Sequence, residues 1–167
     1  MPNERSVSDE LLWEARLHAA RFGGPHPVVP AKHFAIVSCM DSRIDIFDLF
    51  GLAIGDAHVI RNAGGIVTDD VLRSLVLSQR VLRTREVVLV HHTDCGLQQI
   101  REDEMQAQLR AETGEAPPYL FGAFTDVDDA VRHAITRVRE HRFLPHRDRV
   151  RGFVYDVANG ALREVVS

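Results

Sequence analysis

The chain has 167 residues, 45% hydrophobic and 26% charged, which is ordinary for a water-soluble protein and long enough to bury one real core. Its net charge of −4 argues against nucleic acid or an anionic membrane surface as the main partner. There is no signal-peptide pattern and no apolar run long enough to span a bilayer. The expectation is a single domain over 1–167, resident in the cytoplasm. Nearly all the positive charge is arginine, Lys32 being the only lysine, which reads as a compositional bias rather than a functional signal.

Ser8 reads as the N-cap of a helix to about Phe22, with Leu11, Leu12, Ala15 and Ala19 on one face, stopped by Gly23-Gly24-Pro25. This helix must bury its apolar stripe on its own domain or on a partner. Phe34 to Ser38 reads as a buried strand, followed by a loop at Cys39 and a short helix from Ile44 to Phe50. A second strand covers Ala57 to Ile60, ahead of Arg61-Asn62-Ala63-Gly64-Gly65. A helix from Asp69 to Leu82 repeats apolar residues at Val71, Leu72, Leu75 and Val76. Glu86 to His91 is continuously apolar, as a strand covered on both faces would be. A polar helix from Leu97 to Arg110 follows, then a Gly- and Pro-rich loop from Thr113 to Thr125 and a helix from Asp126 to Arg142. Gly152 to Val157 and Ala161 to Val166, joined at Asn159-Gly160, read as a hairpin. The alternation predicts an α/β fold. It has a central, mainly parallel sheet flanked by helices, an antiparallel C-terminal edge hairpin and an N-terminal helical arm over 1–27.

The chain has two cysteines, and each follows a predicted strand: Cys39 opens Cys39-Met40-Asp41-Ser42-Arg43, and Cys95 closes His91-His92-Thr93-Asp94-Cys95. Ligands of open parallel sheets bind beyond the carboxyl ends of the strands, where both motifs and Gly64-Gly65 fall. Two thiolates and an imidazole from Cys39, His92 and Cys95 suit zinc, with the fourth position left to water or Asp41. Free cysteines are often only small buried hydrophobes, but here each has ionisable neighbours in its own loop. Three soft ligands, one short of a closed structural site, favour catalysis. Arg43 is placed to offset the site's negative charge and to hold Asp41, and Asp94 to support the ligand loop. A thiolate phosphatase loop would need an arginine six residues past its cysteine, where Asp45 stands. A thioredoxin-like site would need C-x-x-C, which is absent.

At these residues the chain resembles the β-class carbonic anhydrases, in their shorter archaeal-like and mycobacterial branch. The likeness rests on Cys39-x-Asp41-x-Arg43 and His92-x-x-Cys95. Gly55-Asp56-Ala57, Arg61 to Gly65 and Asp156 to Gly160 support it. The plant-type pocket glutamine has no counterpart in Val28 to Lys32. The resemblance implies Zn2+ on Cys39, His92 and Cys95, with Asp41 as a fourth ligand in a closed state. It implies a catalytic Asp41–Arg43 dyad, a substrate approach along the backbone of Gly64 and Gly65, and a homodimer or higher oligomer with the 1–27 arm over the partner. The implied reaction is reversible hydration of carbon dioxide to bicarbonate and a proton, with hydroxide on zinc as the nucleophile.

Hydrolysis of carbonyl sulfide or carbon disulfide at the same site is the alternative. A non-catalytic zinc-stabilised interaction module is a third reading, against which the dyad counts. His58 and His91 are candidates to carry the released proton, with a structural or surface role favoured for both. The arginines from Arg132 to Arg151 read as a solvated helix face rather than an anion-binding surface. Tyr119, Phe121 and Phe124 are either loop anchors or the lining of an apolar route to zinc.

Overall fold

A computed structural model describes residues 6–166. In chain order it contains α1 (Val7–Ala20), β1 (Phe34–Cys39), α2 (Ile46–Phe50), β2 (His58–Asn62), α3 (Asp69–Arg80), β3 (Glu86–His92), α4 (Glu102–Thr113), α5 (Val127–Glu140), β4 (Val150–Tyr155) and β5 (Leu162–Val165). Short 3₁₀ turns cover Ala63–Gly65 and Gly96–Gln98.

The strands form one sheet in the order β2-β1-β3-β4-β5. β1 runs parallel to β2 and β3, β3 runs parallel to β4, and β5 closes antiparallel on β4, so the expected mixed sheet is present. Ala35, Ile36, Val37, Leu89 and Val90 are wholly buried, which the unbroken apolarity of β1 and β3 anticipated. One apolar layer joins Ala35, Val37 and Leu89 to Val71 and Leu75 of α3 and Val131, Ile135 and Val138 of α5. The other layer holds Ile36 and Val90 together with Cys39, Cys95 and Leu97. Gly152 of β4 lets α5 lie close, since a Cβ there would come within 2.8 Å of Ile135 Cδ1.

From β1 the chain steps to one side to make β2, then returns past β1 to lay β3 on the other side. The connections therefore leave in opposite directions at the carboxyl ends of β1 and β3. This switch point is where an open α/β sheet offers a crevice for a ligand.

Several boundaries differ from the sequence reading. Ser6, not Ser8, caps α1, because Asp9 lies three residues on and returns the capping bond to the Ser6 amide. The helix expected from Leu97 is split. A 3₁₀ turn follows Cys95, and α4 starts only at Glu102, where its carboxylate is engaged by another loop. The helix expected to reach Leu82 ends at Arg80, because the amides of Val81 and Leu82 both return to the Leu77 carbonyl and Arg83 turns left-handed. No residue of α1 is buried: Leu11, Leu12 and Trp13 are each more than half exposed on their own chain. Among the described residues, no helix is long and apolar enough to cross a membrane.

Candidate metal centre

β1 ends at Cys39 and β3 at His92, side by side at the switch point. Asp94 then adopts φ 54, a left-handed conformation that aspartate tolerates, and the chain turns so that Cys95 faces back. The Thr93 amide donates to the Tyr155 carbonyl (2.9 Å), and the Thr93 hydroxyl accepts from the Val157 amide (3.2 Å), tying this loop to the end of β4. As a result the ligand atoms of Cys39, His92 and Cys95 lie within 4.8 Å of one another, all three residues buried. The structure thus brings together the three residues proposed as ligands.

The histidine is oriented for coordination. His92 Nδ1 sits 2.8 Å from the Thr93 carbonyl, which can only accept, so Nδ1 carries the proton and Nε2 presents its lone pair. Nε2 is buried with no nitrogen or oxygen hydrogen-bond partner among the described residues, and neither cysteine is in a disulfide. An orphaned imidazole nitrogen facing two buried thiols fits a soft divalent metal such as zinc, with three protein donors and one position left open.

Without metal the thiols share their protons unequally. The hydrogen bond from Cys95 pulls the Cys39 thiol down to about 4, and the same bond, with burial, pushes Cys95 up. Burial acts to lower His92, but the adjacent Cys39 thiolate outweighs it and raises the imidazole.

Asp41 stands beside the cluster, its Oδ2 3.9 Å from His92 Nε2. Arg43 grips it as a fork: Nε donates to Oδ1 (3.0 Å), Nη2 to Oδ2 (2.7 Å), and the Arg43 amide adds a third bond to Oδ1 (2.9 Å). This holds Asp41 well below the usual carboxylate range, and the two acids beside Arg43 raise the guanidinium in turn. Arg43 is itself anchored through Nη1 to Asp94 Oδ2 (2.7 Å) and Nη2 to the Asp94 carbonyl (3.0 Å). The sequence reading assigned Asp94 to the ligand loop; its carboxylate holds the arginine.

Gly64 and Gly65 are buried with positive φ, and Gly65 lies against the Cys39 backbone. His58, the other end of β2, is remote from the cluster along the strand and pairs through Nδ1 with Ser78 Oγ (2.8 Å). His91 is wholly buried against Phe124 (6.0 Å between ring centres), and burial pushes its pKa down to about 4. A neutral ring sealed from water is a poor proton carrier, so of the structural or surface role favoured for it the structure supports the structural one. Phe124 packs in the apolar cluster that contains both cysteines, while Tyr119 is exposed and meets Phe121 edge-on. Of the basic segment, Arg132, Arg137 and Arg151 pair with Asp129, Asp69 and Glu164 at the surface.

Two features escaped the sequence reading. Arg61 reaches from β2 to carbonyls of the Cys39 loop, and Glu102 accepts the amides of Phe121, Gly122 and Ala123. Neither contact is between residues close in sequence, so no local spacing announces it.

The profile of the carbonic anhydrase family matches residues 34–120, more than half of the chain. The chain is also 45% identical over 160 residues to beta-carbonic anhydrase 1 of Mycobacterium tuberculosis, covering 96% of this chain and 98% of that protein. This chain belongs to the β-carbonic anhydrase family. The crystal structure of the carbonic anhydrase from Streptococcus mutans superposes with a TM-score of 0.90 at 40% identity, covering 97% of this chain and 99% of that one. A carbon disulfide hydrolase of Acidithiobacillus thiooxidans is more distant, 33% identical and covering 77% of this chain and 70% of that protein. The family likeness thus extends well beyond the strand-and-motif region that the sequence motifs marked, into α1 and the α4–α5 segment.

Proposed function

We infer that this β-carbonic anhydrase family member catalyses the reversible hydration of carbon dioxide to bicarbonate and a proton, using zinc held by Cys39, His92 and Cys95. The observation that carries the reading is the buried Cys-His-Cys cluster with an unpartnered Nε2 and a forked Asp41–Arg43 pair beside it. Bound zinc would supply the Lewis acidity that makes hydroxide available near neutral pH, chemistry for which carbonic anhydrases are themselves the standard example.

The chain's own residues do the rest. Asp41 Oδ2 is the carboxylate oxygen beside the cluster and accepts a hydrogen bond from the attacking oxygen, turning its lone pair toward the substrate carbon. Arg43, anchored on Asp94, keeps Asp41 ionised and turned toward its own guanidinium, so Asp41 would be withheld from a bound metal unless the fork opened. That opening would make Asp41 the fourth ligand of a closed state. Gly64 and Gly65, read from the sequence as the substrate's approach, are buried with their Cβ positions filled by Leu97 and by the Cys39 and Ser38 backbone, so they act by letting these segments pack closely around the cluster.

The exposed apolar side chains of α1, Leu11, Leu12, Trp13 and Leu17, support a homodimer in which the 1–27 arm lies on the partner. Two unpaired thiols at the centre support a reducing, cytoplasmic setting.

The test is stopped-flow hydration by metal-quantified protein, run beside carbonyl sulfide and carbon disulfide as substrates. Fast carbon dioxide hydration, abolished by chelation and by Cys39→Ala, is the expected result. Hydrolysis of the sulfur compounds with no carbon dioxide turnover would reassign the substrate, and one tightly bound zinc with no turnover of any would leave a structural site.

A further inference from the structure

Asp41 is held by two guanidinium groups, of which only Arg43 belongs to its own loop. The segment leaving β1 is pinned to the end of β2 at three consecutive residues. Arg61 Nε donates to the Cys39 carbonyl (2.9 Å), the Met40 amide donates to the Asn62 carbonyl (2.8 Å), and Arg61 Nη2 donates to the Asp41 carbonyl (2.6 Å). Among the described residues the Arg61 guanidinium meets no carboxylate; its two bonds go to the carbonyls on either side of Met40.

The two arginines constrain different things. Arg43 sets the carboxylate relative to the Asp94 loop, which moves with Cys95. Arg61 sets the Asp41 backbone relative to Cys39. The Asp41 carboxylate stands 3.9 Å from His92 Nε2, beside the Cys-His-Cys cluster, under both restraints. With the backbone free, Arg43 alone would let the whole residue shift with its fork intact.

We propose that Arg61 is a positioning residue for the hydration reaction, fixing the distance between Asp41 and the metal cluster by holding the Cys39 and Asp41 carbonyls together. The assignment rests on the zinc-dependent reading above. A planar fork can span two carbonyls, whereas a lysine ammonium keeps the charge but cannot reproduce the paired geometry.

The test compares full-length Arg61→Lys and Arg61→Met with the parent protein. Four quantities are read: zinc content, kcat and KM for hydration, the visible d–d absorption of the cobalt-substituted protein, and hydrogen exchange at the Met40 amide in zinc-free protein. Both variants should bind one zinc per chain, lose about ten- to a hundredfold in kcat with KM little changed, and shift the cobalt bands. The Met40 amide should exchange faster in both, and lysine should not rescue. An unchanged kcat, or a loss that only tracks lost zinc or lost folded protein, overturns the role and leaves Arg61 as a support of β2. If the parent itself fails to hydrate carbon dioxide, the functional reading falls separately. The cobalt spectrum and exchange rate then still decide whether Arg61 holds Asp41, and unchanged values overturn the proposal.

Discussion

Gly65 gives the sharpest test of how the cluster is built. Its φ of 67 lies in the left-handed region, and a Cβ placed there would stand 2.8 Å from the Cys39 amide nitrogen, 2.9 Å from the Ser38 carbonyl carbon and 3.1 Å from the Val90 carbonyl oxygen. All three are backbone atoms of the two central strands, so no side chain can rotate away. Gly65→Ala therefore adds about 1–2 kcal/mol of backbone strain to about 1–3 kcal/mol of overpacking, a loss of about 2–5 kcal/mol. For a chain of this size that lowers Tm by about 5–15 °C. Because the displaced atom is the Cys39 amide, the variant should also hold zinc less tightly, read by competition with a chromophoric chelator. Gly23→Ala is the control: nothing lies within 4 Å of its Cβ position, and its stability should stay within about 0.5 kcal/mol of the parent. A Gly65→Ala protein as stable as the control, with unchanged zinc affinity, would refute the close approach on which this reasoning stands.

Three further outcomes are expected. In zinc-free protein both thiols should react with a disulfide reagent, Cys39 first because its proton is the more easily lost, and zinc should protect both; labelling of zinc-loaded protein at the metal-free rate would exclude thiolate ligation. Glu102 is held below its ordinary 4.5 chiefly by the Phe121 amide, so its contribution is complete above that value and disappears as pH falls through the lowered one. Glu102→Gln should accordingly cost about 1 kcal/mol near neutral pH and much less in acid, and urea midpoints showing a constant gap would contradict this. For the homodimer proposed above, deleting the residues before Pro25 should leave a monomer in sedimentation, whereas a dimer that survives the deletion would place the interface elsewhere on the chain.

The local devices were legible because they are chemical and close in sequence. Apolar runs marked β1 and β3, and the spacing of Cys39, Asp41 and Arg43 and of His92 and Cys95 announced a cluster able to hold a metal and the carboxylate beside it. Boundaries were less legible where a neighbour competes for the residues. The helix read from Leu97 breaks because the turn after Cys95 is part of the ligand loop, and because Glu102 serves amides of the Phe121 to Ala123 segment. Sequence alone thus determined which atoms can bind metal and that two strand ends carry them, since side-chain chemistry and hydrophobic period are properties of single segments. Only the tertiary structure decided that β1 and β3 are neighbours at the switch point, that Asp94 grips Arg43, and that Arg61 spans two carbonyls of a distant loop. Those contacts depend on strand order and register, which are set by the packing of the whole sheet between its two apolar layers.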